Sequence, residues 1–374
     1  MKRFILMILS VFVLFNCSKN IFAKVENEKN REQEIKIEFD SQRERVPSHV
    51  LIDDNYYDKT GNIFLINEDY IRTYSELVEY NVKTKKIIKN IVSYDGGETQ
   101  IKEFDIKNGF IVWSLFSSDK GKHNRIYTYN MENGDLNEII NNETMEGADF
   151  YTPLSLKTNG QEVSYIVNDI KKNKSKVVVY NLKSKIKNIV DEQDFYEDRY
   201  KSRMFFTEVS EDKLFYDLRD GEKLYLVVWD LKGKKVLEKL ECESGTLLHF
   251  NGSYNKESNY MALYGKGQKE EYIYAFNLQN KKTKKLSGFY KGSYVYNDRL
   301  IAGKTYIQYI VQTNATGEIS EHYRVENYDL KNFRSANAIS YFDILETEKN
   351  LALLKFDKGI EVIKLELYKK VGEK

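Results

Sequence analysis

Only two prolines, two cysteines and four histidines occur among 374 residues. Scarce proline leaves long stretches free to form ladders, since each proline would delete a backbone donor. The two cysteines, Cys17 and Cys242, supply no disulfide framework; if Cys17 is modified or removed, Cys242 has no partner in the chain. Net charge is +1 from 58 basic and 57 acidic residues, which gives no electrostatic footprint for nucleic acid. The histidines His49, His123, His249 and His322 are scattered, with no ligand spacing between them, so neither a metal centre nor a cofactor is expected. A Gly-x-Ser-x-Gly elbow and a phosphate-cradling glycine loop are both missing. Past the N-terminus no apolar run approaches a bilayer span.

What the chain has is tyrosine and phenylalanine, 29 and 20 of them, within a composition 41% hydrophobic and 31% charged. That suits a soluble, strand-rich protein. The N-terminus reads as an export signal. Lys2 and Arg3 precede an apolar run from Phe4 to Phe15, too short for a membrane span and of signal-peptide length. Two cleavage readings stand. Leu14-Phe15-Asn16-Cys17 resembles a bacterial lipoprotein signal, which implies lipidation at Cys17 and removal of residues 1–16; Phe15 and Asn16 are bulkier than that pattern prefers. Ile21-Phe22-Ala23 is an ordinary cleavage site that would remove residues 1–23. Residues 24–34, "KVENEKNREQE", read as a charged tether between membrane and domain.

From residue 35 to 374 one phrase recurs. It reads "LVEYNVKTKKII" at Leu77, "IYTYNMENGDLNEII" at Ile126, "VVVYNLKSKIKNIV" at Val177, "LVVWDLKGKKVLEKL" at Leu226, "IYAFNLQNKKTKKL" at Ile273 and "RVENYDLKNF" at Arg324. The shared core is an aromatic residue, then Asn or Asp. These polar positions are Asn81, Asn130, Asn181, Asp230, Asn277 and Asp329, so the spacings between them are 49, 51, 49, 47 and 52. A degraded seventh copy, "IEVIKLELYKK", starts at Ile360. A period this regular dictates the architecture. The β-branched and aromatic lead-in reads as a strand. Asn or Asp starts a turn, and Asn133-Gly134 is the strongest hairpin signal because both residues tolerate positive φ. Upstream runs such as "FIVWSLF", "EVSYIV", "KLFYDL", "YMALYG" and "LALLKF" add another strand, and aromatic-marked segments such as "FYTPLSL" and "GSYVYN" add a fourth.

Four strands per 50 residues predict an all-β β-propeller, most simply of seven four-stranded blades, with six or eight as alternatives. The alternating segment "IKIEF" (Ile35 to Phe39) has no blade of its own. It is expected to supply the outer strand of the last blade and close the ring. On the repeated phrase, the chain resembles bacterial extracytoplasmic β-propellers of the TolB-like and YncE-like kind. That resemblance implies a fold and an extracytoplasmic habit, with binding at a channel-facing surface.

Function is expected where the copies differ, in the inter-blade loops. "DEQDFYEDRY" (Asp191 to Tyr200) combines carboxylates with Phe195, Tyr196, Arg199 and Tyr200; Asp194 and these four residues are candidates to grip a sugar or peptide. Tyr151 in "DFYTP" and Tyr290 in "GFYKGSYVY" occupy similar positions. "SSDKG" at Ser117 is similar to part of a sialidase Asp-box and "DLRDGEKL" at Asp217 to a calcium loop, but both lack required residues and read as turns. The primary expectation is a non-enzymatic, exported or envelope-anchored monomer that binds an envelope protein or glycan. The alternatives are a hydrolase or lyase using carboxylates and tyrosines at the channel mouth, and a structural envelope scaffold.

Overall fold

The computed structural model describes residues 33–38, 45–69, 74–95, 99–117, 125–140, 154–169, 172–194, 204–220, 223–241, 247–266, 270–290, 294–295, 300–302, 306–312, 320–326, 333–338, 342–346, 350–356 and 362–369. Among them the strands form antiparallel sheets, five of which are built first strand to fourth in chain order. β1 (Gln33–Glu38) belongs to the last sheet. The first sheet is β2 (Arg45–Leu51), β3 (Asn62–Asp69), β4 (Tyr74–Asn81) and β5 (Lys86–Asp95), with helix α1 (Asp54–Thr60) between its first two strands. The second is β6 (Thr99–Lys107), β7 (Phe110–Ser117), β8 (Arg125–Asn130) and β9 (Leu136–Ile140). The third is β10 (Leu154–Thr158), β11 (Glu162–Asp169), β12 (Lys174–Asn181) and β13 (Lys187–Asp194). The fourth is β14 (Thr207–Ser210), β15 (Lys213–Asp220), β16 (Lys223–Asp230) and β17 (Lys235–Glu241). The fifth is β18 (Leu247–Asn255), β19 (Tyr260–Lys266), β20 (Glu270–Asn277) and β21 (Lys282–Tyr290).

A sixth sheet joins β22 (Tyr294–Val295) and β23 (Ile301–Ala302) to β24 (Tyr306–Gln312), followed by β25 (Ser320–Glu326) and β26 (Phe333–Ala338). The last comprises β27 (Phe342–Glu346), β28 (Asn350–Phe356) and β29 (Val362–Lys369), and β1 lies against β29 with Ile35 opposite Leu365.

The recurring phrase has one structural meaning. In five sheets its Asn or Asp is the last residue of the third strand, opposite the first residue of the second: Asn62↔Asn81, Phe110↔Asn130, Glu162↔Asn181, Lys213↔Asp230 and Tyr260↔Asn277. Its side-chain oxygen then accepts a backbone N–H two or three residues on, from Thr84 (2.8 Å), Glu132 (2.9 Å), Ser184 (2.8 Å), Lys232 (3.0 Å) and Gln279 (2.9 Å). The following aliphatic residue donates its own N–H to the turn between strands one and two. The pairs are Val82 to Gly61, Met131 to Gly109, Leu182 to Gln161, Leu231 to Asp212 and Leu278 to Asn259, at 2.8–3.0 Å. So the turns after the first and third strands lie at one end of every such sheet.

One detail of the hairpins differs from expectation. Each turn places a single residue at positive φ, not two. That residue is Gly134 after Asn130 (φ 77°), and Lys85, Lys185, Lys234 and Lys281 in the other sheets. Asn133 stays right-handed because its side chain is engaged with Asp135, accepting the Asp135 N–H at 2.9 Å.

The sheets bury their faces against each other. Val177 and Val179 of β12 point to Met204, Val209 and Tyr216 of the next sheet, whereas Val178 joins Val112, Ile126 and Tyr165 on the other side. Five such interfaces link successive sheets from the first to the sixth. Strands buried on both faces read as continuous apolar runs, hence "VVVY" in place of strict alternation. Helix α1 went unread in the sequence; it is a single capped insertion. Asp53 accepts the Tyr56 N–H at 3.0 Å, and Gly61 (φ 72°) ends the helix. The second Asp53 oxygen takes the Gly109 N–H of the neighbouring sheet, also at 3.0 Å.

Candidate functional site on the inner strands

First strands of successive sheets abut, β6 on β10, β10 on β14 and β14 on β18. They are stitched by a repeated device in which a short polar side chain accepts an N–H from the next first strand. Leu156 donates to Glu103 Oε2 and Thr158 to Asp105 Oδ2, both at 2.8 Å. Thr207 donates to Ser155 Oγ at 2.8 Å, and its hydroxyl returns a bond to the Ser155 carbonyl at 2.6 Å. Further round, Ala302 donates to Ser253 Oγ at 3.1 Å.

This arrangement gathers ionisable groups from three sheets. Glu103, Asp105 and Lys107 come from β6, Lys157 from β10 and Glu208 from β14. Strand periodicity places residues 103, 105 and 107 on one face of β6. Burial pushes the Glu103 carboxyl up to about 7, against the pull of the Leu156 N–H, Lys157 and Lys102. Burial likewise pushes Glu208 up to about 7; Lys157 and Lys107 oppose this and Asp105 adds to it. A carboxyl pushed to near neutrality beside a lysine can hold or release a proton and can donate or accept a hydrogen bond. Among the described residues, no group of three or more His, Cys, Asp or Glu is placed to hold a metal ion.

A third raised carboxyl lies deeper. Asp217 of β15 is fully buried; its Oδ1 accepts the Phe205 and Phe206 N–H groups, both at 2.8 Å, and its Oδ2 has no partner. Burial lifts it to about 6, against the nearby Arg219 and those two amides. This carboxyl holds the segment leading into β14, so "DLRDGEKL" is strand through Asp220 and not a turn at its start.

The loop candidates are only partly described. Asp194 ends β13, with its side chain 62% exposed, and pairs with Lys174 at 2.6 Å; Glu192 bridges Lys174 and Lys176. Asp191 accepts the Tyr216 hydroxyl at 2.9 Å. These carboxylates are therefore fastened to strand side chains of their own or the next sheet. The backbone of Tyr290 closes β21 opposite Glu270. Cys17, Tyr151, Phe195, Tyr196, Arg199 and Tyr200 lie outside the described residues, as do the signal and most of the tether. Glu103, Asp105 and Glu208 went unread as a site. Their only sequence signal is charge at alternate positions of "EFDIK" (103–107) and the single Glu of "TEVS" (207–210), in first strands that abut across sheets.

No protein-family model matches the sequence, and no curated protein matches it. The likeness is to solved structures. Prolyl oligopeptidase B from Galerina marginata is similar with TM-score 0.58 and 10% identity, over 89% of this chain and 49% of that one, so this chain spans about half its length. An oligogalacturonate lyase in complex with manganese is similar with TM-score 0.52 and 6% identity, over 84% and 87% of the two chains. TolB from Acinetobacter baumannii is similar at TM-score 0.45 and 9% identity, over 79% and 77%. At such identities the likeness is one of fold: repeated four-stranded antiparallel sheets that match those of β-propellers.

Proposed function

We propose that this chain is an exported, seven-bladed β-propeller, closed by β1 against β29, that binds an envelope protein or glycan without transforming it. The supporting observation is how the inner-strand carboxylates are used. Glu103 and Asp105 each give an oxygen to the next blade's backbone, so they hold strands in register. Glu208, with the charge of Lys157 acting on it, is then the carboxyl offered to a hydrogen-bonding ligand arriving along the axis, with the loop residues Asp194, Phe195, Tyr196, Arg199, Tyr200, Tyr151 and Tyr290 as the outer grip. A rigid rim carrying aromatic and charged side chains is a common platform for recognition.

Capture from envelope extract tests this reading. The wild type should recover a partner that the Glu208→Gln, Lys157→Gln double variant recovers at least tenfold less. Equal recovery by both would reject the inner-strand site. One observation favours a second reading, a hydrolase or lyase: a carboxyl at about 7 suits general acid or base work. In that case an oligosaccharide or peptide from the envelope should be cleaved by the wild type and not by Glu208→Gln. Export and anchoring through Cys17 form part of the proposal. A mature N-terminus carrying a diacylglyceryl mass on Cys17 is expected, and a mature chain starting at Lys24 would reject lipidation.

A further inference from the structure

The large hydrophobic side chains left exposed among the described residues are not scattered. They are Ile87 (55%), Ile88 (53%), Leu136 (45%), Ile186 (55%), Ile189 (54%), Val236 (49%) and Leu237 (46%). Every one sits in the turn after a third strand or within the first three residues of the fourth. They therefore share one end of four consecutive sheets. Bulges help put them there. Where β4 pairs with β5 and β16 with β17, the register skips Ile88 and Leu237, so two successive aliphatics face solvent where alternation would hide one.

The same turns concentrate lysine. They read "KTKK" (83–86), "KSKIK" (183–187), "KGKK" (232–235) and "KKTKK" (281–285), all exposed, and none contains arginine or an aromatic residue. The second sheet is the exception, with Glu132 and Asp135 in its turn. At their far ends two fourth strands close on acidic residues, β13 with "DEQD" (191–194) and β17 with Glu241. The turns of adjacent sheets are near neighbours at the lysine end. Lys59 pairs with Glu132 at 3.9 Å, Asn108 donates to the Asn159 carbonyl, Asn159 to the Glu211 carbonyl, and Glu211 pairs with Lys256.

The N-terminal segment enters at the corresponding end of the last sheet. β29 is the third strand of its sheet, so its C-terminal end corresponds to the lysine turns, and Gln33 of β1 lies opposite Leu367 there. Fifteen residues, hence sixteen Cα–Cα steps, separate Gln33 from Cys17. A coil of that length averages about 20–24 Å end to end and reaches at most about 55 Å.

We propose that this lysine-and-aliphatic end docks on an anionic lipid bilayer, with the lysines at the headgroups and the aliphatic residues at the headgroup–acyl boundary. Protein interfaces favour aromatics and arginine and are poor in lysine, the reverse of these turns. Dispersed lysines beside short aliphatics match the chemistry of an anionic interface. The proposal rests on the export reading only for which membrane is met; the surface chemistry stands without it.

The test is co-sedimentation of the full chain with vesicles of phosphatidylglycerol and phosphatidylethanolamine, against phosphatidylcholine vesicles. The leader is common to every variant and cancels. Each lysine near an anionic surface contributes about 1 kcal/mol, about fivefold. The wild type should bind the anionic vesicles at least tenfold better than the neutral ones and lose that preference in high salt. Lys83→Gln, Lys85→Gln, Lys183→Gln and Lys185→Gln together should remove most of the preference. Ile87→Asn with Ile186→Asn should weaken anionic binding severalfold and leave the salt dependence intact. Circular dichroism and the thermal midpoint check that both variants remain folded. Equal binding to both vesicle types, or a quadruple variant that binds like the wild type, overturns the proposal. So does loss of a captured protein or nucleic acid from the quadruple variant with no change on vesicles, which would make this end a macromolecular interface. Failure of the Glu208 capture experiment leaves this result untouched, because the two sites lie on different strands.

Discussion

Acidification from neutral pH should stabilise this protein in one measurable respect, and Asp217 is the residue that isolates it. Its carboxyl is fully buried and lifted from 3.8 to about 6. A raised carboxyl keeps its proton longer folded than unfolded, so between those two values the folded state binds more protons. Stability then falls as pH rises through the window. The shift of about two units corresponds to ~3 kcal/mol at 1.36 kcal/mol per unit. Between pH 4 and pH 7, where the unfolded group is already partly ionised at the start, about 2–3 kcal/mol remains. Asn in place of Asp217 keeps an oxygen for the Phe205 and Phe206 amides and cannot ionise. The assay is urea unfolding of wild type and Asp217→Asn at pH 4, 5, 6 and 7. The difference between the two curves cancels every other titrating group, Glu103 and Glu208 included. It should move in favour of Asn by about 2–3 kcal/mol across the range. Parallel curves, or a difference that moves toward Asp, would refute a buried, proton-holding Asp217. Asp217→Ala supplies the control. It orphans the half-buried Phe205 and the buried Phe206 amides and should cost at least ~2 kcal/mol at every pH.

Three further substitutions probe the joints between sheets. Gly160 has φ 86°, and a Cβ there would lie 2.5 Å from Asn108 Cβ of the neighbouring sheet. Gly160→Ala should therefore lower stability by roughly 2–3 kcal/mol in urea unfolding, from left-handed strain plus the forced separation of the two turns. Ser155→Ala strands the buried Thr207 N–H and should cost about 2 kcal/mol, with Thr207→Val costing less because only its hydroxyl bonds are lost. Lys185 occupies the left-handed turn position at φ 58°; Lys185→Gly should change stability by no more than about 1 kcal/mol in the favourable direction, as strain relief is offset by glycine's greater unfolded freedom.

Much of the architecture was legible because it is local and repeated. Asn181 and its counterparts end a strand and cap a turn with their own oxygen, an event settled within three residues of sequence. The apolar run of Val177, Val178 and Val179 announces a strand covered on both faces. Helix α1 escaped notice because a seven-residue helix has no periodicity to read, only the cap residues Asp53 and Gly61. Turn handedness at Asn133 was decided by a side-chain bond to Asp135 that propensity does not contain.

The inner-strand cluster marks the division more sharply. Sequence alone determined the repeat, the strand–turn–strand phrase, the shortage of cysteine and histidine chemistry, and the lysine content of the turns. It held Glu103, Asp105, Lys157 and Glu208 as ordinary charged residues, spread over more than a hundred positions. Only the tertiary structure decided that first strands of three sheets abut, that two of these carboxylates meet a neighbour's amides, and that burial raises Glu103 and Glu208 to about 7. The same holds for the lysine turns, unremarkable one by one and directional once all lie at one end. Hydrogen bonds within a turn depend on a few adjacent residues. A shifted carboxyl depends on what the rest of the chain excludes from its surroundings, chiefly water.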